Sequence, residues 1–190
     1  MNQPTWLDTK ITVNNQPSTA TNASAINRPA TNVAAIKQWS AVKLFYRQHM
    51  PYARLAQKES VAVIHHLGSP AIDDTDISQR KIIAAIRVRP IGQYQLISGL
   101  LVHPHYRGQQ VSTQLLRFIA PQLTVRQCFL FANPWLIGLY QQHHFVLIDP
   151  SEFARLPAEI MQLYRRYHSE QRPLVIMQLN DVDITVNSGH

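Results

Sequence analysis

Apolar residues recur along this chain at two spacings, and each change of spacing marks an element. From Val33 the positions Ile36, Trp39, Val42 and Tyr46 succeed one another at three to four residues. This predicts a helix, or a broken helical pair, to about Gln48, with Thr31 or Asn32 as its N-cap. Pro51 interrupts the pattern, and a shorter helical piece is expected over Tyr52 to Gln57. Ser60 to His65 contains Val-Ala-Val-Ile and predicts a strand. From Lys81 to Arg89 the period falls to two. Ile82, Ala84, Ile86 and Val88 share one face, Ile83, Ala85, Arg87 and Arg89 share the other, and Pro90 is the expected stop. A short link around Gly92 leads to a strand over Tyr94 to Val102, so the two strands should form an antiparallel hairpin.

Helical spacing returns from Arg107 to Ala120, where Val111, Leu115, Phe118 and Ile119 share a face and Pro121 is the stop. Gln127 to Ala132 is almost wholly apolar, as a central strand would be. Asn133 and Pro134 predict the N-cap and first turn of a second helix through His143. Phe145 to Ile148 reads as a strand, Leu156 to His168 as a helix and Pro173 to Leu179 as the last strand. Ser24 to Ala30 is read as a short first strand. The order predicts an α/β (α+β) fold, a mixed sheet covered by helices. Residues 1–23, rich in Asn, Thr, Gln and Ser, are expected to be a flexible arm, 24–180 the domain and 181–190 a polar tail.

Composition narrows the class. A chain of 190 residues with 45% apolar content has room for one domain with a real core. The single cysteine, Cys128, excludes an internal disulfide and a four-cysteine zinc site, and its apolar setting predicts a buried strand residue. No apolar run approaches the roughly 18 residues that span a bilayer, and the N-terminus lacks the pattern of a signal peptide. The expectation is therefore a cytoplasmic protein with no membrane partner. Asp73, Asp74 and Asp76 lie in a loop from Gly68 to Ser78 without calcium-loop spacing or a histidine partner, so a solvated loop and no metal are expected.

The net charge is +7, from 18 basic and 11 acidic residues. Seven of the basic residues fall between Arg80 and Arg126 with no carboxylate among them. Such a field favours a polyanion, and both nucleic acid and a phosphorylated cofactor satisfy it. For nucleic acid only the charge speaks, because no basic-aromatic RNA motif or helix-turn-helix pattern is present.

The stretch Leu100 to Thr113 is the candidate anion site. A strand enters a Pro-containing turn, then Arg107 and Gly108, then a helix. The first N–H groups of that helix lack intrahelical acceptors and lie at the positive end of its dipole. A phosphate binds there without a dedicated side chain.

Two segments resemble the GNAT acyltransferase superfamily, over roughly Ser24 to Leu179. Val102-His103-Pro104-His105-Tyr106-Arg107-Gly108, continuing to Ser112-Thr113, is similar to the family's Arg/Gln-x-x-Gly-x-Gly/Ala cofactor loop. Asn133 to Phe145 is similar to its Asn-x-x-Ala-x-x-Leu-Tyr-x-x-x-Gly-Phe segment. The departures are Gln110 and Ser112 at the two small positions of the loop, Leu136 at the Ala and His144 at the Gly.

The resemblance implies a mostly antiparallel sheet with splayed central strands, helices on both faces, and acetyl-CoA as acyl donor in the splay. Leu101, Val102 and His103 would border the pantetheine arm, with Arg107, Gly108, Gln109, Gln110, Val111, Ser112 and Thr113 around the pyrophosphate. Asn133 would open the second helix beside the cofactor, and Tyr140 would be the acid that protonates the leaving thiolate. The activity implied is N-acetyl transfer to a primary amine of a small molecule or peptide. A non-catalytic CoA-binding or regulatory domain is the alternative. A homodimer is a partner the family also allows. The residues do not single out a base; Glu59, His65, His66, His103 and His105 are the candidates.

Overall fold

The segments with period two become the strands of one sheet, and those with helical spacing become helices on its faces. The computed structural model describes residues 3–7, 30–51, 53, 55, 59–66 and 81–181. In chain order the elements are β1 (Pro4–Trp6), α1 (Ala30–His49), β2 (Ser60–His65), β3 (Ile82–Ile91), β4 (Tyr94–Val102) and α2 (Val111–Ile119). They continue as β5 (Cys128–Ala132), α3 (Ile137–Gln141), β6 (Phe145–Leu147), α4 (Ala158–Tyr167) and β7 (Val175–Leu179). Among the described residues the sheet has seven strands in the order β1-β2-β3-β4-β5-β7-β6. All neighbours are antiparallel except β4 and β5, which run parallel.

Three expectations are corrected here. Pro4–Trp6 lies in the stretch read as a flexible arm, yet it pairs with Ala62–Ile64 at the edge of the sheet. The Leu7 amide donates to the Val61 carbonyl at 2.8 Å, and Leu7 is buried. A strand of three residues is too short to show a period, so composition concealed it. Pro90 does not end β3, and pairs with Gln95 inside the hairpin. It lies past Val88, the last residue of β3 that pairs with β2, so its missing N–H breaks no ladder bond on that side. Ala30, expected at the end of a first strand, opens α1. The rest of that expected strand, most of the helical piece over 52–57 and the loop 68–78 lie outside the described residues.

The core is divided between the two faces. On one, α2 and α3 cover strand residues such as Ala84, Ile86, Leu130 and Met177. On the other, Val42, Phe45 and Tyr46 of α1 pack with Val61, Val63, Ala85 and Leu101, and α4 packs over Phe129 and Ile176. At nine residues α2 is too short to persist alone in water. Burial of Val111, Leu115, Leu116 and Ile119, about 1.5–3 kcal/mol for each side chain, holds it to the sheet.

The parallel pair sets the geometry that matters for function. Gln95–Ile97 pair with Cys128–Leu130, and there the pairing stops. Beyond Ile97, β4 has no register with β5, so the two strands part toward their C-terminal ends.

Candidate functional site

At the open end of this parting, β4 passes into the loop that the sequence singles out. The His103 amide donates to Ile83 O at 2.8 Å, which keeps the strand on its neighbour to the last residue. Pro104–Tyr106 make one tight helical turn, and α2 begins at Val111 rather than at the expected Arg107. The later start has a backbone cause: Gly108 has φ +76 and Gln110 has φ +57 with ψ 18, and a left-handed residue cannot continue a right-handed helix. Side chains close the loop. Arg107 Nε donates to Val102 O at 3.3 Å, and Gln109 Nε2 donates to His105 O at 3.1 Å.

Gln110 gives the helix no side-chain cap. The first-turn N–H groups of α2 therefore keep their donor capacity and meet a cavity of about 290 Å³. Val102, Tyr106, Arg107, Gly108, Gln110, Val111 and Ser112 line it. No carboxylate stands among these residues, and the Arg107 guanidinium adds to the positive end of the helix dipole. Such a cavity suits a phosphate or pyrophosphate, and the parted strands beside it offer room for an extended arm. The residues present fit CoA.

The cavity brings together six of the expected cofactor residues, Val102, Arg107, Gly108, Gln110, Val111 and Ser112, and adds Tyr106. Tyr106 reads as a loop residue in sequence; here its hydroxyl lies 3.1 Å from His66 Nδ1. The other expected residues stand elsewhere. Leu101 is buried toward α1, and His103 sits outside the cavity among the rings of His49, His105 and Tyr106, at centroid distances of 5.0, 5.1 and 5.7 Å. Gln109 and Thr113 flank the cavity without lining it. Asn133 has the extended backbone of an N-cap, but its side chain caps nothing. After Asn133 the chain makes a short turn at Pro134–Leu136 and then enters α3, so the expected helix is not continuous.

Tyr140, on α3, is buried within the α2-side core, its ring 6.2 Å from that of Phe145 in an edge-on arrangement. Burial pushes its hydroxyl up to about 12, so it stays protonated through the range in which proteins work.

Among the base candidates, two are occupied. Glu59 is 2% exposed and forms an ion pair with Arg87 at 3.1 Å, so its carboxylate is already engaged by a buried partner. His103 Nδ1 accepts the His105 amide at 3.3 Å, which leaves the proton of the neutral ring on Nε2. Desolvation, then the charges of Lys81 and the neighbouring His49, His105 and Arg107, holds this ring below its usual titration range. Nothing in the sequence joins Glu59 to Arg87. The available signal was an arginine within the otherwise apolar run Ile82 to Val88.

A family model described as an acetyltransferase (GNAT) domain matches residues 71–147. Among solved structures, Escherichia coli ElaA is 14% identical, covers 93% of this chain and 98% of its own, and superposes with a TM-score of 0.52. An acyl-CoA N-acyltransferase from Pseudomonas aeruginosa is 14% identical over 75% of this chain and 89% of its own, with a TM-score of 0.49. N-acetylglutamate synthase from Neisseria gonorrhoeae, complexed with coenzyme A and N-acetyl-glutamate, is also 14% identical and has a TM-score of 0.49. It covers 85% of this chain and 37% of its own. At these identities the likeness is one of fold. No curated protein matches the chain in sequence.

Proposed function

We propose that this chain, whose residues 71–147 match an acetyltransferase (GNAT) domain, transfers an acetyl group from acetyl-CoA to a primary amine of a small molecule or peptide. One observation carries the reading: the parting of β4 from β5 lies directly beside an uncapped helix start and a cavity free of carboxylates. Thioester and pyrophosphate ends of one donor would occupy the two together. Acetyl-CoA supplies an activated acyl group on a thiol that leaves readily.

The chain's own groups supply orientation and protons. Backbone groups of Leu101 and Val102, on the part of β4 that β5 leaves unpaired, would hold the donor arm as an added strand does. A backbone N–H near Leu101 would face the developing oxyanion. The amine attacks the carbonyl carbon, a C–N bond forms and the C–S bond breaks. The nitrogen loses a proton to water or a base, and the sulfur receives one from the Tyr140 hydroxyl. Burial keeps this hydroxyl protonated, so the proton is in place when the thiolate forms.

The second reading is a non-catalytic CoA-binding domain. It is favoured by the Glu59–Arg87 pair, which takes a candidate base out of play. Acetyl-CoA-dependent thiol release across a panel of amines separates the two. On the catalytic reading the wild type releases thiol with at least one amine, and Tyr140→Phe lowers turnover by about an order of magnitude or more. Saturable binding with no release by the wild type favours the second reading. Unchanged turnover in the variant removes Tyr140 from the mechanism.

A further inference from the structure

The strand on the donor side of the cleft is bent, and three buried side chains support the bend. Between Ala85 and Arg87 β3 advances two residues, while its partners on β4, Leu101 and Ser98, are three apart. The extra residue is taken up beside Gly99, whose φ of +61 is the left-handed conformation of a bulge. Its carbonyl accepts the Tyr46 hydroxyl of α1 at 2.6 Å. A Cβ on residue 99 would stand 2.6 Å from Arg87 Nε and 3.1 Å from Tyr46 Cε1, so glycine is required by space as well as by conformation.

Beneath the bulge the groups hold one another. The Arg87 guanidinium lies 5.1 Å over the Tyr46 ring and binds Glu59 at 3.1 Å. Tyr46, Glu59 and Arg87 are 0%, 2% and 8% exposed. Burying an ion pair brings little stability that apolar side chains of the same volume would not match. Its distinctive contribution is geometric, because a charged fork and a hydroxyl fix directions that methyl groups do not. Burial raises the Tyr46 hydroxyl far above its usual range against the opposing pull of Arg87, so it donates at every working pH.

We infer that Tyr46, Arg87 and Glu59 are positioning residues of the acyl-donor site: they fix the bulge at Gly99 and so the direction in which the backbone of Leu100 to Val102 meets the thioester. The inference rests on the acetyltransferase reading above. It assigns no proton transfer to the three residues, which act through the strand. A merely structural role would lower stability and leave the bound thioester as it is.

Acetyl-CoA labelled at the carbonyl carbon tests it, with the infrared frequency of the bound carbonyl as the readout beside thiol release. In the wild type the carbonyl absorbs below its frequency in free solution. In Tyr46→Phe it moves back toward the free value and turnover falls by about tenfold to a hundredfold. Affinity for CoA itself, which has no acetyl group, stays within about twofold. Should Tyr46→Phe fail to fold, Glu59→Leu combined with Arg87→Met removes both members of the pair that supports the bulge, and the same three results are expected. A folded variant with wild-type frequency and turnover overturns the inference alone. A wild type that binds no acetyl-CoA overturns the acetyltransferase reading and the inference with it.

Discussion

Gln110 and His144 stand where the family's two motifs carry glycine, and both keep a glycine's backbone, with φ of +57 and +64. Each position therefore has a backbone that suits glycine while carrying a larger side chain. A left-handed non-glycine residue costs about 1–2 kcal/mol, partly offset because glycine gives up more chain entropy on folding. Gln110→Gly and His144→Gly should each stabilise the fold by about 0.5–1 kcal/mol, read as a rise of roughly 1–4 °C in Tm. A fall in Tm for either variant would mean that its side chain holds the turn. At this scale the sequence was informative about where and uninformative about how: the motif located the loop, and only the dihedral angles show that Gln110 conserves its path. The Tyr46, Arg87 and Glu59 group lay hidden because Arg87 and Glu59 are 28 residues apart and no local pattern joins them.

Elements with a clean period were legible to their ends. Ser60–His65 and Tyr94–Val102 are strands over the expected residues. Elements whose limits are set by backbone handedness or by a distant partner were not, as α2 and β1 illustrate. The late start of α2 sharpens the functional expectation, since it puts Val111 and Ser112, rather than Arg107, in the first turn. Ser112→Asp separates helix stability from anion binding. A carboxylate in the first turn interacts favourably with the dipole, by about 0.3–1 kcal/mol, so the Tm of the free protein should hold or rise. The same charge opposes a pyrophosphate, and acetyl-CoA affinity should fall by about one to two orders of magnitude. Loss of Tm with unchanged affinity would place the phosphates away from this helix.

For the whole molecule, element order and the two motifs were enough to reach the α/β class and the splayed sheet, but not the order β1-β2-β3-β4-β5-β7-β6. Strand neighbours are a matter of long-range pairing, and neither β1 at one edge nor the passage of β7 between β5 and β6 has a local signature. The consequence of that order is the single parallel contact at the centre, released after Ile97, with the α2 start at its mouth. The central claim is that this opening is an acyl-CoA donor site. Calorimetric titration of the full chain with acetyl-CoA tests it most directly. Saturable binding to one site per chain is expected at about micromolar to submillimolar Kd, weakened by Ser112→Asp. No saturable heat up to about millimolar acetyl-CoA would contradict it.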